Sequence, residues 1–531
     1  MTTNRRSFLK QASLASFSLW IPQTYAEATT AKLARSTPEA EGVSSGGILA
    51  FLDAVEQEKF ELHSFMMLRH GKVIAEGWWQ PYGPNRVHTM YSMSKSFTST
   101  AVGFAVAEGK LSVGDKVISF FPNELPEKIS DNLAAMRVKD LLTMSTGNEK
   151  EPTQVCVKEE NWVRTFLAQN IAHAPGTKFM YNSAATYMCS AIVQKVTGKT
   201  VLEYLTPRLF EPLGISGMRW ETCPRGINTG GWGLSIQTEG LAKFGQFLLQ
   251  KGQWNGKQLL PATWIEEATK FHIQQPGEDK KGRPKAQNDW LQGYGYQFWR
   301  CQNNAFRGDG AFGQFTIVLP EQDAVIVMTS ENKNMQGQID LVWKHLLPVF
   351  DSKSGPAADL TERLRSLRLA PPKGSTTSPT MKRFGGRKIL FEANDMGITS
   401  GSFSFINDDH WIFVVSRDQV QRTLDGQHSH AISCGLEKWR LGLTNFPSTP
   451  PRLISGGKPP GLIRSVVAAS ATWTDDDTLV MTWRYYETPH SDTLTCQFTD
   501  DAVTITFLSS ITAMNPKAQD ARAPLKGKMS V

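Results

Sequence analysis

The 531 residues contain no His-Glu-x-x-His, no Gly-x-x-x-x-Gly-Lys-Ser/Thr and no Cys-x-x-Cys. Those absences exclude the helix-borne zinc pair of many metalloproteases, the loop that cradles nucleotide phosphates, and a zinc knuckle or dithiol motif. Histidine is sparse, and only His428 and His430 lie close together. Their loop holds Asp and Gly, which points to solvated side chains rather than metal ligands. No metal and no other cofactor is implied. Cysteine is scarce as well. Cys156, Cys189, Cys223, Cys301, Cys434 and Cys496 stand at long, irregular intervals that form no disulfide framework. Pairing cannot be read from such spacing, and Cys223 with Cys301 and Cys434 with Cys496 stay open. There is no basic tract. The net charge is +7, and three of the basic residues (Arg5, Arg6 and Lys10) sit at the extreme N-terminus. Nucleic acid is therefore not expected as a partner. Beyond the first residues no run of 18 apolar side chains occurs, so no membrane span is expected in the mature chain.

What is present begins with a leader. Thr3-Asn4-Arg5-Arg6-Ser7-Phe8-Leu9-Lys10 has the form of a twin-arginine signal, followed by an apolar stretch from Ala12 to Ile21. Tyr25-Ala26-Glu27-Ala28 offers small-residue cleavage sites. Residues 1–28 are thus expected to be removed, with export to the periplasm or beyond.

The remainder is too long for one core. With 40% hydrophobic and 20% charged residues it has the composition of a globular protein. Residues 29–350 mix helical and strand periodicities. Ser45–Phe60, Ser94–Glu108 and Ala184–Thr197 read as helices, the last stopped by Gly198. Phe65–Leu68 with Lys72–Trp78 reads as a hairpin turning at His70-Gly71, and Phe315–Leu319 with Ala324–Thr329 as another. Strands at both ends with helices between them predict an α+β domain on an antiparallel sheet. Residues 351–386, rich in Ser, Pro, Gly and Lys, read as a linker with one short helix near Leu360–Leu369. In residues 387–531 the periodicity changes to two, with Asp-rich turns, which predicts a smaller all-β domain ending in a loose tail. Its aromatic residues Trp473, Trp483, Tyr485 and Tyr486 fit core packing better than ligand binding.

Four segments carry possible chemistry. Ser92-Met93-Ser94-Lys95 is a Ser-x-x-Lys heading a long apolar helix. Residues i and i+3 share a helix face, so the amine can reach the hydroxyl, and the helix N-terminus favours developing negative charge. Burial would lower the lysine pKa and make it a base. Gly42-Val43-Ser44-Ser45-Gly46 matches Gly-x-Ser-x-Gly, but polar, strand-breaking residues precede it, so it reads as a helix cap. Pro175 to Ser183 is a turn and a helix start, with Tyr181 at its edge and Asn182 and Ser183 as caps. Phe306 to Gly313 is a glycine-rich turn that could offer a backbone N–H to an oxyanion.

Together, in order and spacing, these segments resemble the serine β-lactamase-related family, which includes class C β-lactamases, DD-peptidases, esterases and 6-aminohexanoate-oligomer hydrolases. The resemblance spans about residues 35–350. It rests on Ser92-x-x-Lys95, on Val138–Gly147, on Pro175-Gly176-Thr177 leading to Tyr181, and on Phe210–Ile215 and Gly230-Gly231-Trp232-Gly233-Leu234. It implies a β-lactamase/transpeptidase-like fold in which Ser92 forms an acyl-enzyme, Lys95 takes its proton, and Tyr181 acts as general base and acid. It further implies an oxyanion hole from the N–H groups of Ser92 and Ala311, with Gly310, Asp309, Asn182, Ser183 and Trp232 around the substrate.

Two departures stand out. The family's frequent Tyr-x-Asn is here Tyr181-Asn182-Ser183. The cation that often precedes the third signature's glycine is replaced by Gly308-Asp309-Gly310; Asp309 would repel a substrate carboxylate, and Arg307 is the available substitute. Both favour a small ester, amide or peptide lacking that carboxylate over a β-lactam. The alternatives are a β-lactamase or DD-peptidase, and a non-catalytic binding protein on the same fold. Oligomeric state is left open.

Overall fold

Strand Leu62–Arg69 is buried along its whole length, so its sequence lacks the polar–apolar alternation of a one-sided strand. Its alternate side chains serve two cores. Met66 and Leu68 join Val73, Val325 and Val327 on one face, while Phe65 and Met67 join Ile74, Ile326 and Met328 on the other. The strand belongs to a six-stranded antiparallel sheet. The order is Lys72–Trp78, Leu62–Arg69, Ala324–Ser330, Gln314–Leu319, Phe306–Gly310, Trp299–Arg300. The computed structural model describes residues 32–277, 282–350, 357, 359–407, 410–417, 429–444, 465–515 and 517–530.

Helices cover both faces, as the two-sided burial requires. Helices Ser45–Gln57 and Met335–Leu341 pack on the second core. Helix Thr238–Leu249 lies against the first face. Beyond it, helix Ser94–Ala107 packs on helix Ser183–Thr197 in a helical layer. The expected hairpins and helices are all present. His70 and Gly71 both adopt positive φ, 51° and 73°, the geometry a two-residue hairpin turn needs. Gly198 ends its helix at φ 71°. The first helix is three residues shorter than its apolar pattern, because left-handed Lys59 stops it.

The C-terminal region is a β-rich barrel. Nine strands follow one another from Ser429–Leu436 through His410–Arg417, Ile398–Asn407, Ile389–Phe391, Leu525–Met529, Ala502–Ser509, Ser491–Thr499 and Thr478–Arg484 to Ser465–Trp473. Parallel pairing of Gly435 with Ser470 and of Leu436 with Ala471 closes the ring. A tenth strand, Arg440–Thr444, lies beside the last. Phe403, Trp411, Phe413, Trp473, Trp483 and Phe498 fill the interior. Tyr485 and Tyr486 are buried too.

Several expectations need correction. The tail is not loose: Leu525–Met529 pairs with Ile389–Phe391 on one side and Ala502–Ser509 on the other. The linker is not free chain over its described residues. Helix Leu360–Arg365 buries Leu360, Leu367 packs on the second core, and an unforeseen helix, Pro379–Phe384, buries Phe384 in the barrel. No disulfide forms; all six thiols are free and buried, where cysteine behaves as a small apolar side chain. His430 is buried rather than solvated, and His428 lies outside the described residues. No helix among the described residues is long and apolar enough to cross a membrane.

The barrel docks on the sheet domain through polar contacts. Arg484 grips Glu61 with two hydrogen bonds of 2.6 and 3.0 Å. The Thr89 N–H donates to Glu487 O at 3.0 Å, and the Tyr82 hydroxyl donates to Thr488 O at 3.0 Å.

Candidate active site

Ser92 occupies a single 3-10 turn, Tyr91–Met93, that runs directly into helix Ser94–Ala107. The helix is buried from Ser94 to Ala105, so Lys95 cannot reach bulk water and is 2% exposed. Its Nζ lies 3.1 Å from Ser92 Oγ, 3.0 Å from Ser183 Oγ and 2.6 Å from Gly231 O. All three partners are neutral. Burial without a paired carboxylate disfavours the ammonium form, and the Lys95 pKa is pushed down to about 7, with Glu151 and Asp309 opposing the shift. The carbonyl of Gly231 can only accept and therefore takes one N–H. A second N–H goes to Ser183 Oγ. The amine lone pair is left for the Ser92 hydroxyl proton.

Tyr181 forms the adjoining wall. Its ring face lies 4.9 Å from Lys95 Nζ and stacks on Trp299 at 5.7 Å. Burial, reinforced by the Asp309 carboxylate, holds its phenol well above the ordinary range, while hydrogen bonding with Ser92 opposes that rise. The phenol is therefore neutral at physiological pH and able to donate a proton. Strand Phe306–Gly310 leads into Ala311 and packs against the turn that carries Ser92. Gly310 approaches the Met90 carbonyl so closely that a Cβ would sit 2.1 Å from its oxygen. Glycine is required there. The Ala311 carbonyl accepts from Gln314 Nε2 at 3.0 Å, which braces the turn.

A family model described as Beta-lactamase matches residues 52–345, more than half of the chain, with Ser92, Lys95, Tyr181 and Ala311 inside it. This chain belongs to the β-lactamase family. It is 26% identical to a 6-aminohexanoate-dimer hydrolase of Paenarthrobacter ureafaciens over 317 residues, covering 56% of this chain and 79% of the relative. It is 21% identical to a β-lactamase of Escherichia coli strain K12, over 55% of this chain and 90% of that one. Among solved structures, a protein titled as a 6-aminohexanoate-dimer hydrolase of Bacillus anthracis aligns at 20% identity and TM-score 0.47, over 59% of this chain and 82% of that chain.

Within this β-lactamase-family chain, the other residues singled out from sequence divide cleanly. Ser183 opens helix Ser183–Thr197 and faces Lys95. Asn182, by contrast, is fully buried. Its Oδ1 caps the same helix by accepting from Ala185 N–H at 3.0 Å, and its Nδ2 donates to Thr146 Oγ1 and Asn148 Oδ1. With its polar atoms spent on the framework it does not present an amide to a substrate. Trp232 is also a correction. Its ring is 2% exposed and stacks on Trp162; the segment contributes the neighbouring Gly231 carbonyl instead. Ser44 is a buried residue at the start of helix Ser45–Gln57, preceded by the 3-10 turn Glu39–Glu41 rather than by a strand, so it lacks the strand-to-helix elbow.

Asp309 lies beside the cleft, yet its charge is matched. Arg307, two residues away on the same strand face, pairs with it at 2.9 Å. Arg307 also donates to Asp289 O at 2.8 Å and lies over the Trp290 ring at 4.4 Å. Against the pull of burial, Cys301 and Asp309 keep this guanidinium charged. It is 0% exposed and cannot substitute for a substrate-binding cation. Position 308 is closely packed as well: a Cβ there would lie 2.4 Å from Met93 Sδ and 2.6 Å from Ser96 Oγ, so a side chain would have to displace both.

Sequence reasoning missed Gly231, Glu151 and Trp299. Glu151 accepts from the Ser183 N–H at 3.1 Å and acts electrostatically on Lys95. Trp299 supports the Tyr181 ring. It lines a cavity of about 430 Å³ together with Phe179, Tyr181, Trp290 and Leu291 and with the polar residues Asn148, Glu149, Lys178 and Gln275. The clustering of aromatic residues at Tyr294, Tyr296, Phe298 and Trp299 was the available signal.

Proposed function

We propose that the chain is an exported serine hydrolase that cleaves a small ester or amide through an acyl-enzyme on Ser92. One observation carries this reading: a buried amine with a pKa near 7 lies within hydrogen-bond distance of a helix-entrance serine. Ser92 Oγ attacks the substrate carbonyl carbon while its proton passes to Lys95 Nζ. The N–H groups of Ser92 and Ala311 receive the developing oxyanion. The carbonyl–heteroatom bond then breaks, and the leaving group takes a proton from Tyr181 or from Lys95. Water, deprotonated by the same groups, attacks the acyl-enzyme and restores Ser92.

What lines the cleft supports this substrate class. Arg307 is buried and paired with Asp309, and position 308 carries a glycine rather than a cation. A carboxylate next to the scissile bond therefore finds no partner there, which disfavours penicillin-type substrates. The cavity beside Tyr181, with aromatic walls from Phe179, Trp290 and Trp299 and a polar side from Asn148, Glu149, Lys178 and Gln275, suits a flat group that carries a polar substituent. Steady-state turnover of p-nitrophenyl esters and anilides, compared with nitrocefin, tests this reading. Ester or anilide hydrolysis lost in Ser92→Ala supports it; nitrocefin as the faster substrate overturns the substrate class. The export part rests on Arg5-Arg6 and the apolar segment after it. An Arg5→Lys/Arg6→Lys variant retained in the cytoplasm, against processed wild type in the periplasm, is its expected outcome.

A further inference from the structure

The two backbone donors assigned to the oxyanion share an unusual setting. Ser92 follows Tyr91, which has φ 49°, and Ala311 precedes Phe312, which has φ 67°. Both neighbours are non-glycine residues in the left-handed region, a conformation that persists only where surrounding structure enforces it. Tyr91 directly precedes the peptide that carries the Ser92 N–H, and Phe312 holds the exit of the turn whose preceding peptide carries the Ala311 N–H.

Both aromatic rings meet the same imidazole. His490 lies edge-on to Tyr91 at 5.7 Å and to Phe312 at 4.9 Å, and the two rings meet each other at 5.3 Å. His490 comes from the barrel, on the loop joining strands Thr478–Arg484 and Ser491–Thr499. It is 0% exposed. Its Nε2 is hydrogen-bonded to the Tyr91 hydroxyl, and its Nδ1 lies 2.6 Å from Glu331 Oε1. The Glu331 carboxylate accepts from Nδ1–H and fixes the ring's orientation, which turns Nε2 to the Tyr91 hydroxyl. Glu331 is itself fixed by Ser510 Oγ at 2.6 Å, another barrel residue. Its chain neighbours close the loop: Ser330 Oγ and the Asn332 N–H donate to Phe312 O at 2.7 and 2.9 Å.

We propose that His490 of the C-terminal barrel is a positioning residue for the oxyanion hole, a wedge that holds Tyr91 and Phe312, the residues flanking the Ser92 and Ala311 donors, so that both turns keep their place. This rests on the reading of Ser92 as nucleophile. On this account the barrel completes the active site without touching the substrate, and Glu331 sets the ring's orientation. Removing the wedge relaxes two strained peptides, and misplacement of such donors lowers the chemical step while leaving ground-state binding largely intact.

The test uses the full chain with His490→Ala, His490→Gln, Tyr91→Phe and Ser92→Ala. The readouts are kcat and KM on a p-nitrophenyl ester, the Ki of phenylboronic acid, and the thermal midpoint. For His490→Ala the expected result is a kcat lower by roughly 30- to 100-fold with KM within about threefold. The boronate Ki rises by the same factor, because that adduct places an oxygen in the hole. His490→Gln, which keeps a donor and an acceptor, recovers part of the loss. A folded His490→Ala protein with wild-type kcat, or one that changes only KM and leaves the boronate Ki unmoved, overturns the proposal. Should His490→Ala not fold, Tyr91→Phe keeps the ring and removes the hydroxyl; a wild-type kcat and Ki in that variant overturn it equally. Turnover surviving in Ser92→Ala would instead mean that the nucleophile is misassigned, and the proposal would fall with it.

Discussion

Two cations are buried within the walls of the same cleft, and they are treated in opposite ways. Lys95 is surrounded by a serine, a second serine and a backbone carbonyl. Arg307 has Asp309, the Asp289 carbonyl and two tryptophan faces. Both are almost wholly inaccessible, so burial alone does not distinguish them. What differs is compensation. A guanidinium beside a carboxylate stays charged and holds the wall together, whereas an amine among neutral acceptors gives up its proton near neutrality. The first is framework and the second is chemistry.

The comparison is broken most severely at the hydroxyl that Lys95 serves. Ser92→Ala should lower kcat/KM for an ester by at least ~10⁴-fold, since it removes the proposed nucleophile. Lys95→Ala should cost about 10³-fold, and Lys95→Arg should not rescue it, because a guanidinium remains protonated. Arg307 behaves differently. Arg307→Met strands a buried carboxylate, and urea unfolding should show a loss of about 3–5 kcal/mol. Adding Asp309→Asn should recover most of that stability. A Lys95→Met variant should show no comparable loss, since no opposite charge is abandoned. The smallest effect sharpens the contrast. In the proposed mechanism Lys95 acts in its neutral form, and its folded pKa is near 7. The ester kcat/KM should therefore fall about tenfold per pH unit below 7 and reach a plateau above it. A profile flat from pH 5 to 9 would mean that the amine does not act as base.

Much of this wall was legible from residues alone, and the reasons for the misses are physical. The serine–lysine spacing is a helix property, so Ser92 and Lys95 could be placed together from sequence. Gly231 contributes a carbonyl, which has no side-chain signature, whereas the adjacent Trp232 carries a conspicuous ring that packs in the core. Asn182 carries both a capping and a recognition reading; only the positions of Thr146, Asn148 and Ala185 decide for the cap. Arg307 and Asp309 sit two apart on one strand, a spacing that places both side chains on one face, and their pairing was open to prediction. In the barrel, Leu525–Met529 alternates inward Leu525 and Gly527 with outward Lys526 and Lys528, a strand signal that Gly527, with no side chain to bury, leaves weak. The linker's Leu360, Leu364 and Leu367 repeat at helical spacing, a core signal masked by Pro, Ser and Gly around it. His490 lies 399 positions from Tyr91, and no local pattern reports a contact of that range.

The account stands or falls on Ser92 being a nucleophile activated by Lys95. Intact-mass analysis after treatment with a fluorophosphonate probe, run on wild type, Ser92→Ala and Lys95→Ala across pH 5 to 9, tests it most directly. The account predicts a single adduct on wild type, none on Ser92→Ala, strongly slowed labelling of Lys95→Ala, and a wild-type labelling rate that climbs to a plateau through a midpoint near 7. An adduct that survives Ser92→Ala, or folded wild type that takes up no probe at any pH, would contradict it.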